Sequence, residues 1–538
     1  MSHVTHVLLT TVCRPFGGKG EGDSVEAELF HAQVTRSQGI FSYRQVIRCW
    51  GLDYIAENIK APSVVLHYPS EREFRREIQR RRYDVIGINF VVATFHKVRR
   101  MARIIRTHSP ESTVVLGGYG TVLSDEVLRP YGDVFCREEG IGFMRRLLGE
   151  PADRPIRHPY IPIASPRVYS VPLKTKVAHI TGGLGCPNGC DFCCTSHFFK
   201  RQYVPFIRSG RELYDTMRRM ERKAREHGHT LSGFIFIDED FFIHEKRARE
   251  FLDCVRAGGV SASIMAFGSV RGLSRFTADE IAEMGFDIIW TAFEGKESGY
   301  KKLQGKSLDT LYRELRSRGV AILSSMIVGF PYQDRAKVME EFKQLMELGP
   351  ALWQILIYFA FPGTPLYRRV LEEGLYLDAY RDRPDYRTFD GFSMHFKHAH
   401  FTPEELEQLQ KELYRTAFET LGPSLIRVLM AWFEGYQTLK HASRPLLQRR
   451  AERMKHYVRK ALPGIYPALR FGPNPARRNE ARQFLEAIEQ EFGPRSLKEH
   501  LACWATVPLS LWTWMTETFG LFQQPRLLRV EHRAGSLW

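Results

Sequence analysis

Cys186, Cys190 and Cys193 stand in the stretch GLGCPNGCDFCCTS with the spacing C-x3-C-x2-C, and Cys194 follows directly, so four of the chain's nine cysteines fall within nine positions. Thiols clustered in this way outside an oxidising compartment hold metal or do redox chemistry more often than they form disulfides. A structural zinc ion takes four protein ligands, and here only Cys194 or His197 could complete the set locally. An iron–sulfur cluster also takes four ligands, and three cysteines would leave one iron open to a substrate or cofactor. A second feature is the acidic run Asp238-Glu239-Asp240 in IDEDFF. Acids placed there favour a helix N-terminus through its dipole, or they meet a cation.

Strands and helices must carry these residues. The chain has 538 residues, 43% hydrophobic and 26% charged, which suits a globular protein of two or three domains. Over residues 1–150, apolar runs (HVLLTT, SVVLHYP, YDVIGINF, STVVLGGYG, YGDVFCREEG) alternate with helical patterns such as SEREFRREIQRR, HKVRRMARIIRTHSP and IGFMRRLLGE. Short, near-continuous apolar runs are expected of buried parallel strands, so the alternation predicts a doubly wound, Rossmann-like α/β domain. Ligands bind such domains beyond the C-terminal strand ends, where Gly117 and Gly118 would let one approach the backbone closely. Residues 151–175 are proline-rich and read as an extended linker. From 176 to 370, six further strand signals (VAHIT, GFIFID, SASIMAFGS, DIIWTAFE, VAILSSMIVGF and LWQILIYFAF) alternate with helices. That predicts a partial (β/α)6 barrel with its chemistry at the C-terminal strand ends. Residues 371–538 read as mostly helical, with Thr402 capping a helix that starts at Pro403 and stops at Gly422.

The cysteine spacing, with an aromatic before the third cysteine and a position just after the first barrel strand, resembles the radical S-adenosylmethionine (SAM) superfamily. The resemblance implies a [4Fe-4S] cluster on Cys186, Cys190 and Cys193, whose open iron chelates SAM. One-electron cleavage of SAM then yields a 5′-deoxyadenosyl radical. It also places Phe192 against the adenine and offers Asp238, Glu239 and Asp240 to the SAM ammonium, since IDEDFF is similar to an acidic segment after the family's second strand. Ser269 and Arg271 fall at the end of the third strand, where the family contacts the SAM ribose and carboxylate. Glu294 matches the family's acid at the end of the fourth strand, with Glu297-Ser298 as the alternative register; Ala292 replaces the usual glycine. The first domain resembles the cobalamin-binding domain that precedes the barrel in one large class of the superfamily. By that resemblance Asn89, Thr94, Gly117, Gly118, Glu139 and Gly140 are the cobalamin contacts. The chain has no D-x-H-x2-G sequence, so that motif supplies no lower cobalt ligand. The other reading of this domain is a relic without cofactor.

The function this implies is methylation of an unactivated carbon of an apolar or lipid-like small molecule, hopanoid-type lipids being the nearest analogy. The alternative is a cyclisation, carbon–carbon coupling or rearrangement by the same radical. Methylthiolation is a further reading: Cys13 and Cys49 have a suitable spacing, but Tyr83 stands near the place of the third cysteine. A metal-stabilised basic protein that binds nucleic acid would explain the charge of +16 and leave the SAM-like segments unused; no nucleic-acid partner is expected. An electron donor such as flavodoxin or ferredoxin is implied. The segment MSHVTHVLLTTVCRPFGG lacks the pattern of a signal peptide, and no apolar run reaches the length of a transmembrane helix. The expected location is therefore the cytoplasm. Eight Lys or Arg between Lys440 and Lys460, with Trp504, Trp512 and Trp514, suggest a peripheral contact at the inner face of a membrane.

Overall fold

The computed structural model describes residues 4–16, 34–42, 48–163, 167–169, 171–172, 175–260, 262–295, 297–381, 385–519 and 525–532. Parts of the expected linker (164–166, 170, 173–174), Ser261 at the expected strand start, and Lys296 lie outside the described residues.

Five parallel strands, β1 (Val7–Thr11), β2 (Ser63–His67), β3 (Val85–Asn89), β4 (Thr113–Gly117) and β5 (Val134–Phe135), pair in the order 2-1-3-4-5. Aliphatic residues fill both faces of this sheet. One face packs on α2 (Glu71–Arg80) and α3 (Phe95–His108) through Phe74, Val98 and Met101. The other packs on α1 (Trp50–Asn58) and α4 (Gly140–Leu147) through Leu52, Ala56 and Met144. Ser70 starts α2 with a capping box closed by Glu73. Because β2 and β3 flank β1, the connections part there and leave a crevice at the C-terminal strand ends.

The second sheet runs β6 (Pro162–Ile163), β7 (Lys176–Thr181), β8 (Leu231–Ile237), β9 (Ile264–Phe267), β10 (Phe286–Glu294), β11 (Ala321–Val328) and β12 (Leu352–Ile357), each beside the next. Strands β7 to β12 are mutually parallel. Helices α5 (Gly210–Glu226), α6 (Glu245–Gly258), α7 (Ala278–Met284), α8 (Leu308–Ser317) and α9 (Arg335–Leu348) connect them, and α10 (Pro365–Glu372) follows β12. The proline-rich stretch is not merely a linker. Its β6 pairs antiparallel with β7 and covers that edge of the sheet.

Helices α11 (Pro403–Leu421), α12 (Ser424–Leu439), α13 (Pro445–Lys460), α14 (Pro475–Phe492) and α15 (Leu497–Thr518) follow. Thr402 and Glu405 form the capping box that opens α11. The region then returns to strand: β13 (Leu528–His532) adds antiparallel to β2 at the outer edge of the first sheet.

The basic stretch 440–460 is not a solvated face. Arg450 is fully buried and pairs with Asp287 at 2.7 Å, and Arg453 pairs with the same carboxylate. Arg444 approaches Asp279 and Glu283, Lys440 meets Glu491, and Arg459 meets Glu499. Most of these cations lock helices to one another or to the start of β10, so the stretch as a whole does not form a free basic face for a membrane. Among the described residues no helix is long and apolar enough to cross a membrane.

Candidate cluster and cofactor site

The cysteine loop leaves β7 at Thr181 and is pinned from several sides. Gly183–Leu184 pairs with Val204–Pro205. Ser196 Oγ donates to the Cys186 carbonyl (2.7 Å) and accepts from the Gly189 N–H (3.1 Å). Asp191 accepts from the hydroxyls of Tyr300 (2.6 Å) and Tyr358 (2.8 Å) and from Arg369 (3.3 Å), which ties the loop to residues beyond β10 and β12. All three expected ligand thiols are free of disulfides, with Cys186 and Cys190 buried and Cys193 partly so. Burial pushes the Cys186 thiol up to about 11 and Cys190 up to about 12, and Cys193 is raised for the same reason. These groups are neutral as they stand, so a metal centre bound there must expel protons. The charge of Cys193 adds to the rise at Cys186, and those of Cys193 and Cys186 add to it at Cys190. Among the described residues no group of three His, Cys, Asp or Glu is arranged to hold a metal ion directly. His197 Nε2 lies 3.0 Å from the Cys190 carbonyl and is occupied there.

Around the loop the acids divide by partner. Asp238 is buried and already satisfied, accepting from Tyr203 (2.5 Å) and Arg247 (2.8 Å). Asp240 accepts from the Ser269 N–H (3.1 Å) and from Asn188 (3.1 Å), and Asn188 also donates to Cys186 Sγ (3.3 Å). Ser269 caps the short helix 270–273 through the Gly272 N–H. Glu239 is open to solvent yet ringed by protein within the mouth, and desolvation, with Asp238 beside it, pushes its carboxyl up to about 7. Glu294 ends β10 with a left-handed backbone (φ 53°), pairs with Lys302, and has one buried oxygen without a hydrogen-bond partner among the described residues. The Lys302 ammonium also sits 5.5 Å over the Phe192 ring. Arg271, half-buried, has no hydrogen-bond or ion-pair partner among the described residues.

A cavity of about 270 Å³ opens at the C-terminal ends of β3 and β4 and sinks between the first sheet and helices α1 and α4. Asn89, Gly117, Gly118 and Gly140 line it, and Thr94 and Glu139 do not. Thr94 is buried and bonds back to Val91, while Glu139 caps α4 through the N–H groups of Ile141 and Gly142. Its outer wall comes from the segments that flank the cysteines, through Leu184 before them and Phe198, Phe199 and Phe206 after them. Tyr119 of the first domain meets Phe198 edge-on at 5.2 Å. Cys49 and Cys136 line this cavity, whereas Cys13 is buried with Phe16 and Phe74 in the core on the opposite face of the sheet. The thiols needed for a methylthiolation centre in the first domain therefore do not assemble.

No protein-family model matches the chain. It is 22% identical over 404 residues to an uncharacterized methyltransferase of Pyrococcus horikoshii, covering 68% of this chain and 84% of the relative. It is also 22% identical over 348 residues to the anaerobic magnesium-protoporphyrin IX monomethyl ester cyclase of Rubrivivax gelatinosus, covering 56% of this chain but only 61% of that enzyme. In fold it matches the radical SAM methyltransferase TsrM of Kitasatospora setae, solved with cobalamin and a [4Fe-4S] cluster, with a TM-score of 0.53 at 14% identity, over 85% of this chain and all of TsrM. In fold, then, the chain is similar to a radical SAM enzyme that carries cobalamin and a [4Fe-4S] cluster.

Several residues of this candidate site carry no local signal in the sequence. Tyr203, Arg247, Lys302, Asn188 and Tyr119 come from five separate segments and meet only in the folded chain. Glu239 yields a direct test. Its carboxyl is raised in the fold, so its contribution to stability is fully present below the ordinary value of 4.5 and is lost as pH rises through about 7. The cluster-free Glu239→Gln protein has no such loss. Its melting temperature relative to wild type is expected to rise between pH 5 and pH 8. A pH-independent difference would show that Glu239 titrates as an ordinary surface carboxylate.

Proposed function

We propose that this chain is a cobalamin-dependent radical SAM enzyme that methylates an unactivated carbon of an apolar substrate. The observation that carries the reading is the shared wall: the cavity at the ends of β3 and β4 is closed by the segments that flank the cysteines. A cofactor seated there would lie against the residues that flank the expected cluster ligands in sequence. When bound, the cluster and SAM supply a 5′-deoxyadenosyl radical, and cobalamin supplies a transferable methyl group.

The residues present fit these groups. Cys186, Cys190 and Cys193 would hold the cluster on a loop that Asp191 and Ser196 keep in place. Glu239, Glu294 and Arg271 retain unmatched charge or hydrogen-bonding capacity toward the ammonium and carboxylate of SAM, whereas Asp238 serves Arg247 and Tyr203. Asn89, Gly117, Gly118 and Gly140 would meet the cobalamin. Gly118 must stay glycine: its φ is +87°, and a Cβ there would stand 2.5 Å from Asn89 Oδ1. Gly117 is roomier, with only Cys136 Cβ at 3.8 Å.

Inside the second sheet, which we read as a partial (β/α)6 barrel, Phe267 and Trp290 stack at 5.2 Å beside Met265. Val34, reaching in from the first domain, is buried against Trp290 and Leu323 and fills that end of the interior. Such a lining excludes water from a radical and favours an apolar, lipid-like or aromatic substrate. An external one-electron donor of the flavodoxin or ferredoxin kind completes the reading.

A second reading, carbon–carbon bond formation without methyl transfer, is favoured by the similarity to the cyclase. Anaerobic reconstitution with SAM carrying a deuterated methyl group separates the two. Methylation predicts cobalamin uptake, 5′-deoxyadenosine, and label in the product. Cobalamin uptake with 5′-deoxyadenosine but an unlabelled product selects the second reading. Gly117→Leu is expected to keep the cluster and the fold while cutting cobalamin uptake severalfold. A protein that loads its cluster but takes up no cobalamin overturns the methylation reading.

A further inference from the structure

Helix α15 wears its side chains inside out. Its inward face presents the buried residues Cys503, Thr506, Ser510 and Thr513. Their hydroxyls are satisfied within the helix: Thr506 donates to the Cys503 carbonyl (2.5 Å), Ser510 to Thr506 (2.7 Å) and Thr513 to Leu509 (2.8 Å). The outward face carries the large apolar groups, with Leu497 77%, Leu501 63%, Trp504 64% and Trp512 55% exposed. At 100° per residue these four, with Leu511 and Met515, fall within one arc that no polar side chain interrupts. A surface helix normally buries such a stripe. From Leu501 to Thr516 the helix holds no charged residue, yet it does not qualify as a membrane span.

We infer that α15 is an interfacial anchor that lays this face into an anionic lipid surface. Three of the chain's eight tryptophans lie on this helix, Trp504 and Trp512 on the apolar face itself, and tryptophan is the side chain that settles at the boundary between headgroups and acyl chains. The surrounding charge is complementary to anionic headgroups. Lys498 on the helix, Arg470 four residues after Tyr466, whose ring meets Trp504, and Lys460 at the end of α13 are exposed and have no ion-pair partner among the described residues. The acid on this helix near those cations, Glu499, is held by Arg459 and by the Ser496 N–H. A second copy of the chain is the weaker occupant. In a two-fold dimer the same patch faces itself, and the unpaired charges named on its border are all cations, so they offer the partner copy no opposite charge. The inference does not depend on the proposed reaction. It also moves the membrane contact from the body of residues 440–460, most of whose arginines are paired within the fold, to α15.

Flotation of the full chain with vesicles of phosphatidylcholine alone, or mixed with phosphatidylglycerol, tests it. Binding is expected to the mixed vesicles, to weaken in high salt, and to blue-shift tryptophan emission. Trp504→Gln with Trp512→Gln is expected to reduce binding at least tenfold without changing the melting temperature, since both side chains are exposed. Lys498→Gln with Arg470→Gln should lower it further, each cation near such a surface being worth about fivefold. No flotation with either vesicle overturns the assignment, as does equal flotation with both. A dimer in sedimentation that the tryptophan variant splits, with no vesicle binding, gives the face to a second copy instead.

Discussion

Replacing Cys190 with alanine is expected to reduce 5′-deoxyadenosine formation to background. The thiol is buried, and the charges that act on it are those of Cys186, Cys193, Lys302 and Glu294, the side chains that surround the expected cluster. With two cysteines left, an iron–sulfur cluster loses a protein ligand and no longer presents a single open iron to SAM. Iron and sulfide per chain should fall with the activity. Loss of one small buried sulfur costs the fold little, so the cluster-free variant should melt within a few degrees of wild type. Cys194→Ala is the matched control. It removes a thiol one residue away that lies outside the C-x3-C-x2-C spacing, and SAM cleavage should survive. Cleavage retained in a verified Cys190→Ala protein would remove the basis for the cluster assignment.

Arg450→Met is expected to be the most destabilising single change in the helical region. The guanidinium is fully enclosed. It donates to the carbonyls of Arg318 (2.9 Å), Phe286 (2.8 Å) and Gly319 (3.1 Å), and it pairs with the buried Asp287. Desolvation lowers its pKa to about 10, so it remains charged at neutral pH and depends on these partners. Methionine fills much of the volume but leaves the carbonyls and one side of Asp287 unmatched. Breaking a buried pair in this way costs about 3–5 kcal/mol. The apparent melting temperature should fall by about 5 °C or more. A shift under 1 °C would mean that Arg453 and water replace the clamp completely. The same logic makes substitutions at Arg450 and Arg453 unsuitable as probes of membrane binding.

Much of the fold was legible because buried parallel strands need short aliphatic runs, and every strand of the two parallel sheets that had such a run is present. The elements that went unread have weaker local patterns. In α1, WGLDYIAEN interleaves glycine and acids with its apolar positions. In β13, LRVEH is a polar edge strand whose partner lies in the first domain. The cysteines were legible because three ligands from one loop leave a fixed spacing. The Glu294–Lys302 and Asp238–Arg247–Tyr203 contacts were not, because their members meet only through tertiary packing. The basic stretch misled for a related reason: composition counts charges but does not reveal that Asp279, Glu283 and Asp287 are waiting for them.

The pairing of β13 with β2 sets a schedule for biogenesis. His67 emerges from the ribosome about 460 residues before Leu528 does. At about 5–20 residues per second, that is roughly half a minute to a minute and a half of synthesis. Throughout that interval the first sheet can assemble its 2-1-3-4-5 order but must present the bare backbone of β2 along one side. An uncovered strand of Ser-Val-Val-Leu-His is a ready template for a neighbouring nascent chain on the same polysome. The nascent chain should therefore engage holding chaperones until translation is nearly complete. Premature termination upstream of Leu528 should leave a product that aggregates through its first domain, far in sequence from the break.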